Sequence, residues 1–192
     1  MTTALRLFAV AASLACTTPS FAITSSKVEQ ESASDSVLMA YFSQADLAQS
    51  FIQFADNITG AGVKVTGGAE YTVSISLWTN LPNNGGKMLA SGEGTGDGDS
   101  WVDVFWPKVT IEPDSLYFLV FSGTTDSGLR GDTGNPYPYG NVFGNSGYQS
   151  FPAFDYAFRT YSEAAPVPEP ATWMSLLAGL AVCAGGVSRR RS

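Results

Sequence analysis

The stretch YTVSISLW at 71–78 alternates apolar and polar side chains without a break, placing Tyr71, Val73, Ile75 and Leu77 on one face and Thr72, Ser74 and Ser76 on the other. A period of two belongs to a strand with one buried face and does not fit the 3.6-residue period of a helix. Similar short runs recur at 37–42, 49–55, 62–66, 87–92, 101–106, 108–112, 115–123 and 154–161. Between them stand TGG, LPNNGG, GEGTGDGDS, EPDS, TTDSG and GNPYPYG, clusters of residues that favour turns. No amphipathic helical segment competes with them. Strands of this length and spacing predict an all-β domain over 37–163, an antiparallel β-sandwich of jelly-roll type.

Both ends of the chain read as targeting segments. Arg6, the apolar stretch LFAVAASLA and the small residues of Ser20-Phe21-Ala22 predict a signal peptide over 1–22, cleaved after Ala22. The stretch Ser13–Cys16 offers a second reading, a lipoprotein box with Cys16 lipidated. Residues 23–36 are polar and read as a flexible lead-in. At the other end, 171–187 carries no charge, and as a helix at ~1.5 Å per residue it would span roughly 26 Å. That approaches the hydrocarbon thickness of about 30 Å. Arg189, Arg190 and Arg191 follow it and would stay cytoplasmic, leaving the domain on the far side of the inner membrane.

Pro168-Glu169-Pro170, an apolar helix and a terminal arginine cluster, in that order, resemble the PEP-CTERM sorting signal of exported proteins in Gram-negative bacteria, here over 164–192. The resemblance implies recognition and cleavage by an exosortase, only transient anchoring in the membrane, and an association with exopolysaccharide and biofilm. The segments LAQSFIQF, LWTN, KMLASG, VTIEPDSLYFLVFSG and FDYAFRTY are similar to the choice-of-anchor R family of exported β-sandwich domains. That likeness implies a role at the cell surface, without an established enzymatic activity.

Charge and composition narrow the chemistry. Arg6 and the three terminal arginines belong to the targeting segments, so Lys27, Lys64, Lys87, Lys108, Arg130 and Arg159 face the 17 acids less Glu169. The remainder is strongly acidic and repels nucleic acid. The chain has no histidine, and its two cysteines, Cys16 and Cys183, lie in the targeting segments. Histidine-based triads, thiol nucleophiles and imidazole zinc sites are therefore excluded from the domain. A carboxylate pair could still hydrolyse a glycoside, but no pair is singled out by the sequence, and the expectation is a protein that is not an enzyme.

Two segments are candidate ligand sites. In GEGTGDGDSWVD, Asp97, Asp99 and Asp103, with Glu93, offer the oxygen ligands that calcium takes, although the EF-hand spacing is absent and Asp-Gly equally makes turns. In RGDTGNPYPYGNVFGNSGYQSF, Tyr137, Tyr139 and Tyr148 could stack on a neutral glycan, or could with Phe143 and Phe151 form a lid over the end of the sandwich. Arg130-Gly131-Asp132 and the sequon Asn57-Ile58-Thr59 are patterns too short to carry a function. The expected function is a non-catalytic exported surface or extracellular-matrix protein in contact with polysaccharide. The alternative is a carbohydrate-binding module, with or without calcium.

Overall fold

The 71–78 stretch is a single strand whose four apolar side chains are each at most 2% exposed, while Thr72 lies open to solvent. The computed structural model describes residues 26–163, which fall within one unit, Thr24–Ala165. The strands are β1 (Ser26–Ser32), β2 (Val37–Tyr41), β3 (Leu47–Gln53), β4 (Asn57–Thr66), β5 (Tyr71–Trp78), β6 (Met88–Gly96) and β7 (Asp99–Thr110). They continue with β8 (Ser115–Gly123), β9 (Gly128–Asp132), β10 (Val142–Gly144), β11 (Gln149–Phe151), β12 (Asp155–Tyr156) and β13 (Phe158–Glu163). Among the described residues there is no α-helix, and no helix long and apolar enough to cross a membrane. The expected signal peptide with its Ala22 cleavage, the sorting signal and the 171–187 helix lie outside the described residues.

The strands form two antiparallel sheets packed as a β-sandwich. One has six strands in the order β11-β10-β3-β8-β5-β6. The other has seven, β1-β13-β4-β9-β12, with β2 added to β9 and β7 to β4. Phe51, Leu77, Leu119 and Phe121 from the first sheet meet Ala61, Val63, Leu129 and Phe158 from the second in one core. Burying each of the larger side chains stabilises the fold by about 1.5–3 kcal/mol.

The two sheets join along one side at a double corner. The β4–β5 and β6–β7 connections both change sheet, and they run side by side, with Gly67 N–H donating to the Gly98 carbonyl at 3.0 Å. The Tyr71 hydroxyl ties the corner together, 2.8 Å from Ser100 Oγ and 3.1 Å from the Gly98 carbonyl. Gly98 has φ +52, which suits glycine in a tight turn. Asp97-Gly98 is thus a turn, but the strands it links are not paired with each other: β6 pairs with β5 and β7 with β4.

The segment expected as a flexible lead-in is corrected over 26–32, which is β1, in register with β13 from Ser26↔Glu163 to Ser32↔Phe158. Its composition is polar because the ordering comes from backbone hydrogen bonds to an edge, while a bulge between Val28 and Gln30 turns Gln30 and Ser32 inward. The runs at 101–106 and 108–112 merge into β7 around Pro107. The proline falls where the register shifts, between Phe105↔Gly60 and Val109↔Ile58, so its missing N–H interrupts no ladder bond. Glycine-rich stretches also extend β4 and β6 beyond their apolar runs, and β9, β10 and β11 were not expected as strands.

Candidate functional site

The acidic turn does not gather its carboxylates. Asp97 and Asp99 are exposed at the corner, and Glu93 accepts from Ser74 Oγ at 2.8 Å on β6. Asp103 stands four residues along an extended strand from Asp99, about 13 Å away at ~3.3 Å per residue. Among the described residues no group of three or more acidic, histidine or cysteine side chains could hold a metal ion, which overturns the calcium candidate of Asp97, Asp99 and Asp103.

Asp103 belongs instead to a cluster on the outer face of the seven-stranded sheet. Val28, Tyr161, Gly60 and Phe105 are successive register partners across β1, β13, β4 and β7, and Glu31, Arg159, Gly62 and Asp103 form the neighbouring row. The glycines of β4 leave no side chain in the middle of either row. A Cβ on Gly62 would lie 2.0 Å from Asp103 Oδ1, and one on Gly60 2.7 Å from the Phe105 ring. The neighbours therefore lean together over β4. Arg159 binds Asp103 through Nε at 2.8 Å and through Nη2, the Tyr161 hydroxyl donates to Asp103 Oδ1 at 2.8 Å, and the guanidinium lies 4.3 Å from the centre of the Trp101 ring. Burial, followed by the Asp103 contact, pushes the Tyr161 hydroxyl up to about 12. Phe105, 58% exposed, packs 4.9 Å from Tyr161. The alternation Trp101-Asp103-Phe105 in WVDVFW was the available sequence signal for an outward face, but their partners come from β13.

The three candidate tyrosines occupy three different environments. Tyr137 is buried: its hydroxyl lies within reach of Gln30 Oε1 (3.1 Å) and the Ile52 carbonyl (3.2 Å), and it accepts from Ile52 N–H. Tyr148 is half-buried on the outer face of the six-stranded sheet, against Ala48, Leu81 and Phe118 together with Phe143. Its φ of +54 is uncommon for an aromatic residue, and the turn is braced by Asn83 Nδ2 donating to the Gly147 carbonyl at 3.0 Å. Tyr139 alone of the three presents its ring to solvent, 53% exposed. It meets Phe54, itself 51% exposed, edge to face at 6.2 Å, with Tyr137 behind it at 5.8 Å. Phe143 packs against Phe118, and Phe151 stacks on Phe154.

A buried polar seam joins the sheets beneath this loop. Gln49 Nε2 donates to Asp155 Oδ1 at 2.9 Å, and Gln49 Oε1 accepts from Tyr156 N–H at 2.9 Å. Asp155 Oδ2 accepts from Tyr137 N–H at 3.0 Å. One strand turn further, Gln53 accepts from Thr160 Oγ1 at 2.7 Å and donates to the Asn57 carbonyl. Burial raises the pKa of Asp155, opposed by the hydrogen bonds from Tyr137 and Gln49. Arg130-Gly131-Asp132 lies in β9, paired on both sides rather than displayed on a loop, with Asp132 held by the hydroxyls of Ser34 and Ser36 at 2.7 Å. Those two hydroxyls and the Gly134 N–H hold Asp132 below the usual carboxylate range. Asn57 of the sequon is buried in β4.

No protein-family model matches the chain, and no curated protein matches it.

Proposed function

We propose that the chain is a non-catalytic exported protein of the cell surface or extracellular matrix, built on a jelly-roll-like sandwich and trimmed at Pro168-Glu169-Pro170 by an exosortase. The observation that carries the non-catalytic part is the engagement of the buried acid. Asp155 is the fully buried carboxylate among the described residues, and both of its oxygens accept hydrogen bonds, one from Gln49 of the opposite sheet and one from the Tyr137 N–H of the loop after β9. A general acid or nucleophile needs a carboxylate free to meet substrate. The order of Pro-Glu-Pro, uncharged run and arginine cluster supports export and release. Replacing Pro168, Glu169 and Pro170 by alanine in the producing cell should leave export intact and hold the protein in the membrane fraction. Release of a processed form as efficient as that of the wild type would overturn the reading.

A second reading, a carbohydrate-binding module, rests on the exposed Phe54–Tyr139 pair, since an open aromatic face is a stacking surface for a neutral sugar ring. Its site is Tyr139 with Phe54, and Tyr137 acts as the support behind it. Binding of neutral polysaccharide that is lost in Tyr139→Ala supports it. Equal binding by that variant removes it.

A further inference from the structure

The sandwich is closed by the Asp97-Gly98 corner on one side and parted on the other, where β2 at the edge of one sheet faces the β10–β11 hairpin of the other. Between these edges lies a cleft of about 490 Å³. That volume falls within the roughly 300–1,000 Å³ of sites that hold small molecules. Leu38, Met39, Leu47 and Val142 line it, with Phe151 and Phe154 stacked 3° from parallel at 6.0 Å. Gln44, Thr133 and Asn145 also line it, so the cleft suits a hydrocarbon body that carries a polar end.

Tyr156 brings a hydroxyl to the lining of the cleft. The side chain of Tyr156 is 2% exposed, its ring stands edge-on to Phe121 at 5.8 Å, and its backbone N–H is bound by Gln49. Its hydroxyl makes no hydrogen bond among the described residues, and it stands near Gly144, which lines the cleft with it. The hydroxyl is not sealed from solvent, so it is a donor open to whatever enters the cleft. Gly144 keeps the space in front of it open: a Cβ there would lie 4.0 Å from that oxygen, 3.7 Å from Leu47 and 3.8 Å from Phe151. Burial pushes the pKa of the hydroxyl well up, so it remains a donor in neutral solution.

The surrounding charge selects among acceptors. No lysine or arginine is among the residues that line the cleft. Arg130, on neighbouring β9, is turned to the Asp35 carbonyl at 2.7 Å. An anionic head group would find no cation to pair with in the cleft, in a chain where acids outnumber bases.

We propose that the cleft binds a neutral molecule with a hydrocarbon body and one oxygen acceptor, of the medium-chain alcohol, ketone or ester kind, whose oxygen accepts from the Tyr156 hydroxyl. This site is separate from the Tyr139 surface and independent of how the chain is exported.

Methionine methyl groups report on it directly. Met39 lines the cleft, whereas Met88, on β6, is 50% exposed elsewhere and registers unspecific partition. The full chain, labelled with ¹³C at methionine methyls and held in nanodiscs, is titrated with 1-octanol and with octanoate. The Met39 signal should shift saturably with 1-octanol while Met88 stays in place, and octanoate should bind at least about tenfold more weakly. Tyr156→Phe, which removes a single oxygen, should weaken 1-octanol about fivefold with an unchanged melt. Gly144→Val should abolish the Met39 response. Parallel shifts of Met39 and Met88 without saturation, equal binding of octanoate, or undiminished binding by Tyr156→Phe would each overturn the proposal. So would a Met39 signal that depends on protein concentration alone, which would assign the cleft to a second copy of the chain.

Discussion

Gln49 and Gln53 lie four residues apart on the same face of β3, both fully buried, yet replacing each by leucine should have unequal consequences. Gln49→Leu leaves the Asp155 carboxylate without the amide that donates at 2.9 Å and the Tyr156 N–H without its acceptor. Losing a hydrogen bond to a charged group costs about 1.5–3 kcal/mol, and orphaning a buried backbone N–H about 1–3 kcal/mol, for a total of about 3–6 kcal/mol. Gln53→Leu leaves the Thr160 hydroxyl, which can rotate, and the Asn57 carbonyl, both neutral, at about 1–2 kcal/mol. Urea unfolding of the 23–166 fragment, followed by tryptophan fluorescence, measures both. The difference should depend on pH. The pKa of Asp155 stands above its ordinary 3.8 through burial, and the Gln49 amide holds it down. Removing the amide raises it further, so the extra loss in Gln49→Leu is complete at neutral pH and shrinks as pH falls through the folded carboxyl value. In the wild type the folded domain binds the more protons in that window, so this residue contributes less stability as pH rises from 3.8. Equal costs for the two substitutions, or a difference that does not change with pH, would refute the assignment of the seam.

Tyr137→Ala should cost about 3 kcal/mol or more in the same assay, because a buried ring and its hydroxyl contacts are lost, whereas Tyr139→Ala should cost less than about 1 kcal/mol. Gly62→Ala should destabilise by about 1–3 kcal/mol because its Cβ would meet Asp103 Oδ1, and in Asp103→Ala the same change should cost less, a coupling that a double-mutant cycle reads directly. Millimolar calcium should leave the melting temperature of the fragment unmoved, since Asp97, Asp99 and Asp103 are not gathered into one coordination sphere; a clear rise would revive them as ligands.

Local pattern was enough for the elements whose side chains alternate. In β5 the inward face could be read from the order of residues, because the pleat sends neighbours to opposite sides wherever the strand ends up. The same alternation in LAQSFIQF places Gln49 and Gln53 beside Leu47 and Phe51, and in WVDVFW it groups Trp101, Asp103 and Phe105. Partners were beyond its reach. Asp155 and Thr160 lie 106 and 107 residues from the glutamines they bind, and Arg159 lies 56 residues from Asp103. β1 escaped notice because an edge strand is ordered by backbone bonds that leave no mark on composition. The Asp97-Gly98 turn was legible as a turn, but a turn specifies only that the chain reverses, and the choice between pairing β6 with β7 and parting them into two sheets belongs to β4 and β5. Likewise, nothing in the order of residues sets Tyr137 inside, Tyr139 outside and Tyr148 on another face, since each position depends on which strands the loop crosses. Periodicity is a property of neighbours in the chain, whereas burial, pairing and the cleft before Tyr156 are properties of neighbours in space.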